Sequence, residues 1–262
     1  MALELNLAGK TAVVTGSSEG IGAAIAERLG SEKVNLYLVA RSTEKLEAVA
    51  KSVREKHGVE VKILPGDLST AAHQKAVAEQ AADADILVNN AGAIPAGSIF
   101  DVDEARWRAA WDLKVFGYIN MSRYFYGHMK KRGAGVIVNV IGAGGEKPVW
   151  EYIAGGAGNA ALMAFSRGLG GHSPNDNIRV VAINPGPVAS ERLVTVTKKA
   201  AQERLGGAEN YLDLWKKFPF GRAATTMEIA DMVAFVASDR SAYTSGTVIT
   251  IDGGSVNRGP LF

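Results

Sequence analysis

The chain has 262 residues, 47% of them apolar, with 29 basic and 27 acidic side chains and a formal net charge of only +2. The two signs are interleaved rather than blocked, which excludes a polybasic nucleic-acid arm or membrane-surface helix as the organising feature. Cysteine is absent, so disulfides and thiolate metal sites are excluded and no metal centre is expected.

The opening "MALELNLAGKTAVV" has no basic start, long apolar run or small-residue cleavage site, so no secretory signal is read there. No apolar run approaches the length needed to cross a bilayer. The expectation is a cytoplasmic protein without nucleic-acid or membrane partners. Thirty glycines imply many tight turns and close backbone approaches.

Taken in chain order, short apolar runs recur at 11–15, 34–40, 59–64, 84–89, 135–141, 178–184 and 246–252. They are rich in β-branched residues and nearly continuous, as strands buried on both faces of a parallel sheet are. Segments such as "EKLEAVAKSVREKHG" and "AAHQKAVAEQAA" lie between them with apolar positions at helical spacing. Strand and helix in alternation predict an α/β fold: a Rossmann-type, doubly wound parallel sheet of about seven strands with helices on both faces. No linker, repeat or low-complexity stretch interrupts it, so a single domain over 1–262 is expected. Residues 187–222 break the rhythm. They read as short helices and loops carrying Leu193, Val194, Leu205, Tyr211, Leu214, Trp215 and Phe218. A long insertion near strand C-termini is a candidate substrate lid. A helical pair burying its own apolar face, or an oligomer contact, explains the same residues equally well.

"VVTGSSEGIG" follows the first strand and opens the first helix, with Gly16, Gly20 and Gly22 spaced G-x3-G-x-G. A glycine loop there lets backbone approach a pyrophosphate, and the helix N-terminus offers free N–H groups and a favourable dipole. The spacing differs from G-x-G-x-x-G, so position after the strand carries more weight than pattern. "GSSEG" also satisfies the nucleophile-elbow pattern with Ser18 as nucleophile. That reading lacks a downstream acid-then-His order, since the last histidine is His172, and it lacks an HGGG-type oxyanion loop.

From "TGSSEGIG" (15–22), "NNAG" (89–92), "NPGPVAS" (184–190) and "GRAATTMEIADMVAFVASDRSAYTSGTVITIDGG" (221–254), the chain resembles the short-chain dehydrogenase/reductase family over nearly its whole length. The resemblance implies a seven-stranded parallel sheet, a nicotinamide cofactor across the strand C-termini, and a homo-oligomer, commonly a tetramer and otherwise a dimer. It implies that Gly16, Ser17, Ser18, Ile21 and Gly22 surround the pyrophosphate and that Asp67 and Leu68 meet the adenine. Asn90, Ala91 and Gly92 would line the ribose and the approach to the nicotinamide, and Pro185, Gly186, Val188 and Ser190 the carboxamide end. A plainer account lets Asp67 cap a helix and Pro185–Gly186 merely end a strand.

The family's proton relay resembles Tyr as acid, Lys one helical turn later, Ser on the carbonyl, and Asn on the preceding helix. "NAAL" puts the Lys position at Asn159, the Tyr position at Gly155, the Ser position at Gly142 and, in "WDLKVFG", the Asn position at Lys114. Lys and Asn thus look exchanged, and in the family those positions face each other. Tyr152 lies seven residues, two helical turns, before Asn159, so both can share one face. Its spacing resembles that of the Tyr in the family's enoyl-reductase branch. Tyr152, Lys114 and Asn159 are therefore the candidate catalytic residues, with Gly142 and Gly155 leaving a wider pocket open to a larger substrate or to a side chain from one turn earlier, for which Tyr152 is nearest by spacing.

At the end of the second strand, "LYLVARS" offers Ala40, then Arg41 and Ser42, where NAD-users need an acid for the ribose 2′-hydroxyl. Arg41 suits a 2′-phosphate, with Glu19 as a counter-signal, so NADP(H) is expected over NAD(H). Two functions remain open. One is an NADP(H)-dependent oxidoreductase acting on a carbonyl, alcohol or activated double bond of an apolar or aromatic small molecule. The other is a catalytically inactive cofactor-binding protein with a regulatory or partner role.

Overall fold

Seven parallel strands form one sheet in the order β3-β2-β1-β4-β5-β6-β7 in the computed structural model, which describes residues 4–258. Residues 1–3 and 259–262 of the expected 1–262 unit lie outside the described residues. The strands are β1 (Thr11–Thr15), β2 (Asn35–Ala40), β3 (Val61–Pro65), β4 (Ile86–Asn89), β5 (Gly135–Val140), β6 (Ile178–Pro185) and β7 (Thr247–Ile251). Each apolar run read from the sequence is a strand, with ends moved by two residues at most.

Successive strand residues feed opposite faces, as the pleat requires. Ala12, Val14, Leu36, Leu38, Ile86 and Val88 enter one core cluster. Val13, Tyr37, Val39 and Leu87 enter another on the far side. The first cluster is covered by helices α1 (Gly20–Ser31) and α2 (Thr43–His57), through residues such as Ile25, Leu29, Leu46 and Val53. The second is covered by α3 (Ala71–Gln80), with α4 (Glu104–Trp111) leading through a π-helical turn, Asp112–Phe116, into α5 (Gly117–Arg132). Helix α6 (Ile153–His172) packs its Leu162 and Met163 with Val115, Tyr118 and Ile141.

Local chemistry sets the helix ends. Ser42 Oγ accepts from Lys45 N at 3.3 Å to start α2, and Gly58, at φ +66°, ends it in the left-handed conformation.

The strand order reverses between β1 and β4, and at such a switch point a crevice opens beyond the strand C-termini. The segments after β1, β4, β5 and β6 all meet there.

The insertion after β6 is more ordered than the sequence suggests. It holds a fifteen-residue helix, α7 (Glu191–Leu205), a short α8 (Tyr211–Trp215) and single 3₁₀ turns. Its aromatic residues pack largely on one another. Tyr211 and Trp215 meet edge-on with centroids 5.4 Å apart, and Trp215 stacks on Phe218 at 6.4 Å. Trp215 Nε1 donates to Thr197 Oγ1 at 3.2 Å, tying α8 to α7. Helix α9 (Thr226–Ala237), opened by a Thr225–Glu228 capping box, returns the chain to the α1 face. No described helix is long and apolar enough to cross a membrane.

Candidate active site

The glycine loop is locked to its surroundings by backbone. Gly16 has φ +65°, and a Cβ there would stand 2.8 Å from Ala91 Cα. On Gly22 a Cβ would stand 2.1 Å from Gly16 O. Both glycines are therefore required by the loop's packing against the end of β4, a reason the sequence reading did not include. Thr15 Oγ1 accepts from Asn90 N (2.8 Å) and Ala91 N (3.0 Å), and Asn90 Nδ2 donates to Thr15 O (3.0 Å) and Gly16 O (3.2 Å). Ser17 is fully buried, and its Oγ accepts from Val39 N at 3.1 Å. Asn90 and Ser17 thus brace the loop rather than present side chains to the crevice. Ser18 is partly exposed, and Ile21 packs at the edge of the first core cluster.

The N-terminus of α1 has no side-chain cap and no acidic residue in its first turn. Glu19, just before it, is paired with Lys45 at 2.5 Å. Arg41 is exposed and takes part in no hydrogen bond or ion pair among the described residues, while Ser42 is occupied as the α2 cap. Asp67 Oδ1 accepts from Ser69 N at 2.9 Å, a local turn. The cap of α3 is Thr70, not Asp67. The Leu68 side chain is buried in the core and its carbonyl accepts from Gln74 Nε2 at 2.7 Å, so only its backbone N–H is left to meet a ligand. Pro185 ends β6, and Gly186 N continues the ladder to Ile251 O at 2.9 Å. A Cβ on Gly186 would stand 2.7 Å from that of Asp252. Val188 is buried and bridges to Ala224, and Ser190 caps α7 by accepting from Leu193 N at 3.3 Å.

Lys114 lies in the π-helical turn, a device often found at functional sites. Its stem runs beneath Gly92, whose Cβ would stand 2.6 Å from Lys114 Cδ. Its Nζ donates to Ile141 O at 2.6 Å. Burial, and secondarily the Arg192 guanidinium, pushes the amine down to about 8. Asn159 is 2% exposed, and its Nδ2 stands 3.1 Å from where a Cβ on Gly142 would be. Lys114 and Asn159 therefore converge from two helices on the consecutive residues Ile141 and Gly142. Asn159 Oδ1 is buried without a hydrogen-bond partner.

Tyr152 corrects the helical argument. It is the residue before α6, at φ −144° and ψ 37°, not a member of the helix. A turn donates Tyr152 N to Val149 O at 3.1 Å, and a bridge to Gly97 holds the segment. The ring folds back over α6, with Cζ 2.0 Å from where a Cβ on Gly155 would be and Cε1 at 2.3 Å. The same ring lies 3.4 Å from the Cβ position of Gly144, and Asn159 Nδ2 lies 3.7 Å from that position. Of the two occupants expected for the space at residue 155, a larger substrate or the Tyr152 side chain, it is the Tyr152 ring that fills it. At residue 142 the Asn159 amide adjoins the space.

Several neighbours escaped the sequence reading. Tyr118, one turn after Lys114, is buried and donates to Val140 O at 2.8 Å. Burial, and then Tyr152, pushes its phenol far up. Asn184, fully buried, accepts from Gly142 N at 3.4 Å and donates to Glu146 Oε1 at 2.6 Å, and Glu146 also accepts from Thr250 Oγ1. Arg192 Nη2 donates to Ile94 O at 2.7 Å across 98 residues. Asn184 stands inside the quoted "NPGPVAS" and carried a signal. Nothing local marks Glu146 or Arg192.

The family model for short chain dehydrogenases matches residues 10–201. A 3-oxoacyl-(acyl-carrier-protein) reductase of Chlamydia muridarum is 31% identical over 257 residues, covering 95% of this chain and 98% of that protein. An uncharacterized oxidoreductase of Thermotoga maritima is 31% identical over 253 residues, covering 96% and 99%. The L-sorbose reductase of Gluconobacter frateurii, solved with NADPH and L-sorbose, superposes with a TM-score of 0.92 at 33% identity, over 98% of this chain and all of that one. The match of family model, sequence and sheet order together shows that the chain belongs to the short-chain dehydrogenase/reductase family of oxidoreductases.

Proposed function

We propose that the chain is an NADP(H)-dependent oxidoreductase acting on a carbonyl, or in reverse an alcohol, of an apolar or aromatic small molecule, through a non-standard set of side chains. An activated double bond is the other substrate within the same chemistry. The observation that carries the reading is the Tyr152 ring lying in the volume that a side chain at residue 155 would occupy. A phenol is thereby kept beside Asn159 although residue 155 has none.

The residues present suit the cofactor. The uncapped α1 N-terminus suits a phosphate, with Gly16, Ser17, Ser18, Ile21 and Gly22 as its walls. Arg41, without a partner of its own, suits a 2′-phosphate, while the Lys45 pair offsets the charge of Glu19. A buried carbonyl oxygen without a donor is costly, and Asn159 Oδ1 suits a ribose hydroxyl. Asp67, Leu68, Asn90, Ala91, Gly92, Pro185, Gly186, Val188 and Ser190 border the rest of the crevice. When bound, NADPH supplies hydride to the substrate carbon.

The chain's own groups handle the oxygen. The Tyr152 hydroxyl donates a hydrogen bond and then a proton to it as negative charge develops. The Lys114 ammonium, fixed on Ile141 O, favours that charge electrostatically. Asn159 orients cofactor and substrate. In this reading residues 187–222 serve as a lid, and the partly exposed Trp111 and Tyr152 supply apolar wall.

NADPH consumption by the purified protein across a panel of aromatic and aliphatic carbonyl compounds tests the reading. Turnover with NADPH in preference to NADH is expected. Cofactor binding without turnover of any compound would instead establish the inactive, regulatory reading.

A further inference from the structure

Two cations meet the same short loop without a counter-ion. The stem of Lys114 lies under Gly92, and two residues on, Ile94 O receives Arg192 Nη2 at 2.7 Å. A guanidinium has five N–H donors and an ammonium three. Among the described residues, each group makes one hydrogen bond, to a backbone carbonyl, and no ion pair. Their mutual repulsion helps to lower the Lys114 amine.

Neither nearby carboxylate pairs with these two cations. Glu146 accepts from Asn184 and Thr250. Glu191, next to Arg192, is exposed and lies toward Lys45. Lys114 is desolvated by burial, whereas Arg192 is exposed and can reach a ligand from solvent, and an anion held between two like charges is favourable to both. The glycine loop, with its uncapped helix N-terminus, already provides a separate place for phosphate.

We propose that the carbonyl substrate carries a carboxylate beside its reacting carbon, and that Arg192 binds this carboxylate next to Lys114. The proposal rests on the reductase reading and narrows its substrate to 2-oxo acids with an apolar or aromatic body. A guanidinium can take both carboxylate oxygens at once. Held so, the neighbouring carbonyl faces Tyr152. Reduction converts the 2-oxo acid, NADPH and one proton into the 2-hydroxy acid and NADP⁺, with the carboxylate unchanged.

The test uses two compounds that differ in charge and by one methyl group, benzoylformate and its methyl ester. Each is titrated calorimetrically into the NADPH-loaded wild type, Arg192→Gln and Arg192→Lys, and NADPH consumption is followed in parallel. Wild type is expected to bind the acid roughly ten- to a hundredfold tighter than the ester, the range of a charge-assisted hydrogen bond. Arg192→Gln should bring that ratio toward one with ester binding unchanged, and Arg192→Lys should restore part of it. A lid latch with no substrate role would change acid and ester alike. The proposal is overturned if the ester binds as well as the acid, if no acid binding is detected, or if Arg192→Gln weakens NADPH alone and leaves the ratio intact. Acid binding without NADPH consumption would support the carboxylate site and overturn the reductase reading. Consumption without acid preference would do the opposite.

Discussion

The Tyr152 ring occupies the space that a side chain on Gly155 would need: a Cβ on Gly155 would stand 2.0 Å from Tyr152 Cζ. Glycine at 155 is therefore a condition for the placement of Tyr152. Alanine normally stabilises a helix interior relative to glycine, by about 1 kcal/mol. At this position the added methyl must displace the ring, and overpacking costs about 1–3 kcal/mol. Gly155→Ala should lower the melting temperature and reduce turnover. Gly168→Ala, in the same helix with nothing within 4 Å of its Cβ position, should raise the melting temperature or leave it unchanged. Thermal melts and NADPH consumption of the two variants check the contrast.

The role proposed for Lys114 makes the reaction pH-dependent. Its amine is held at about 8, below the ordinary 10.5, so the ammonium is lost as pH rises through about 8. Reductive kcat/KM should fall above that pH, and Lys114→Arg should remove the limb because a guanidinium stays charged. Stability moves the other way. Between about 8 and 10.5 the unfolded chain holds a proton that the native chain has released, so this group's contribution to native stability grows as pH rises. Lys114→Met should therefore compare best with wild type below pH 8 and lose ground toward 10.5. A pH–rate profile and melts across the window read both signs.

Lys114 and Asn159 converge on Ile141 and Gly142 from different helices. Residues sharing a site couple by about 0.5–3 kcal/mol, whereas independent ones add. Lys114→Asn and Asn159→Lys should each weaken cofactor binding, and the double variant should be less impaired than their sum. Strictly additive losses would mean that the exchange has no joint role.

The NADP(H) preference proposed here rests on the residues after β2. Arg41→Ala should cost NADPH roughly tenfold or more in affinity, the value of a charge-assisted contact, and leave NADH unchanged. Lys45→Ala, which removes the partner of Glu19, should shift preference the same way by exposing an acid to the 2′-phosphate. Calorimetry with both nucleotides measures the two ratios.

The sheet was legible because buried parallel strands are written as unbroken β-branched runs, and "TAVVT" and "GVIVNVI" need no tertiary context to be read so. The glycine loop was legible by its place after β1, although the packing that demands Gly16 and Gly22 depends on Ala91 and Asn90, some 70 residues away. The candidate site was half legible. Tyr152, Lys114 and Asn159 were named, but counting two helical turns assumed that Tyr152 belongs to α6. A turn at Val149 and the bridge to Gly97 place it before the helix. Spacing did name Tyr152 as the side chain nearest the space left by Gly155, but the turn and rotamer that fold its ring over that residue are not encoded in spacing. Arg192 was passed over because its partner, Ile94 O, is brought to it only by the assembled sheet.

Tyr152→Phe removes one oxygen and leaves the ring that fills the space over Gly155, so it is the most direct measurement of whether that phenol does the chemistry. With a carbonyl substrate and NADPH at saturation, the variant should bind cofactor and melt as wild type does. Its turnover should fall roughly 10²–10⁴-fold, the usual cost of removing a general acid. Turnover near the wild-type rate would contradict the account and assign the proton to water or to the substrate.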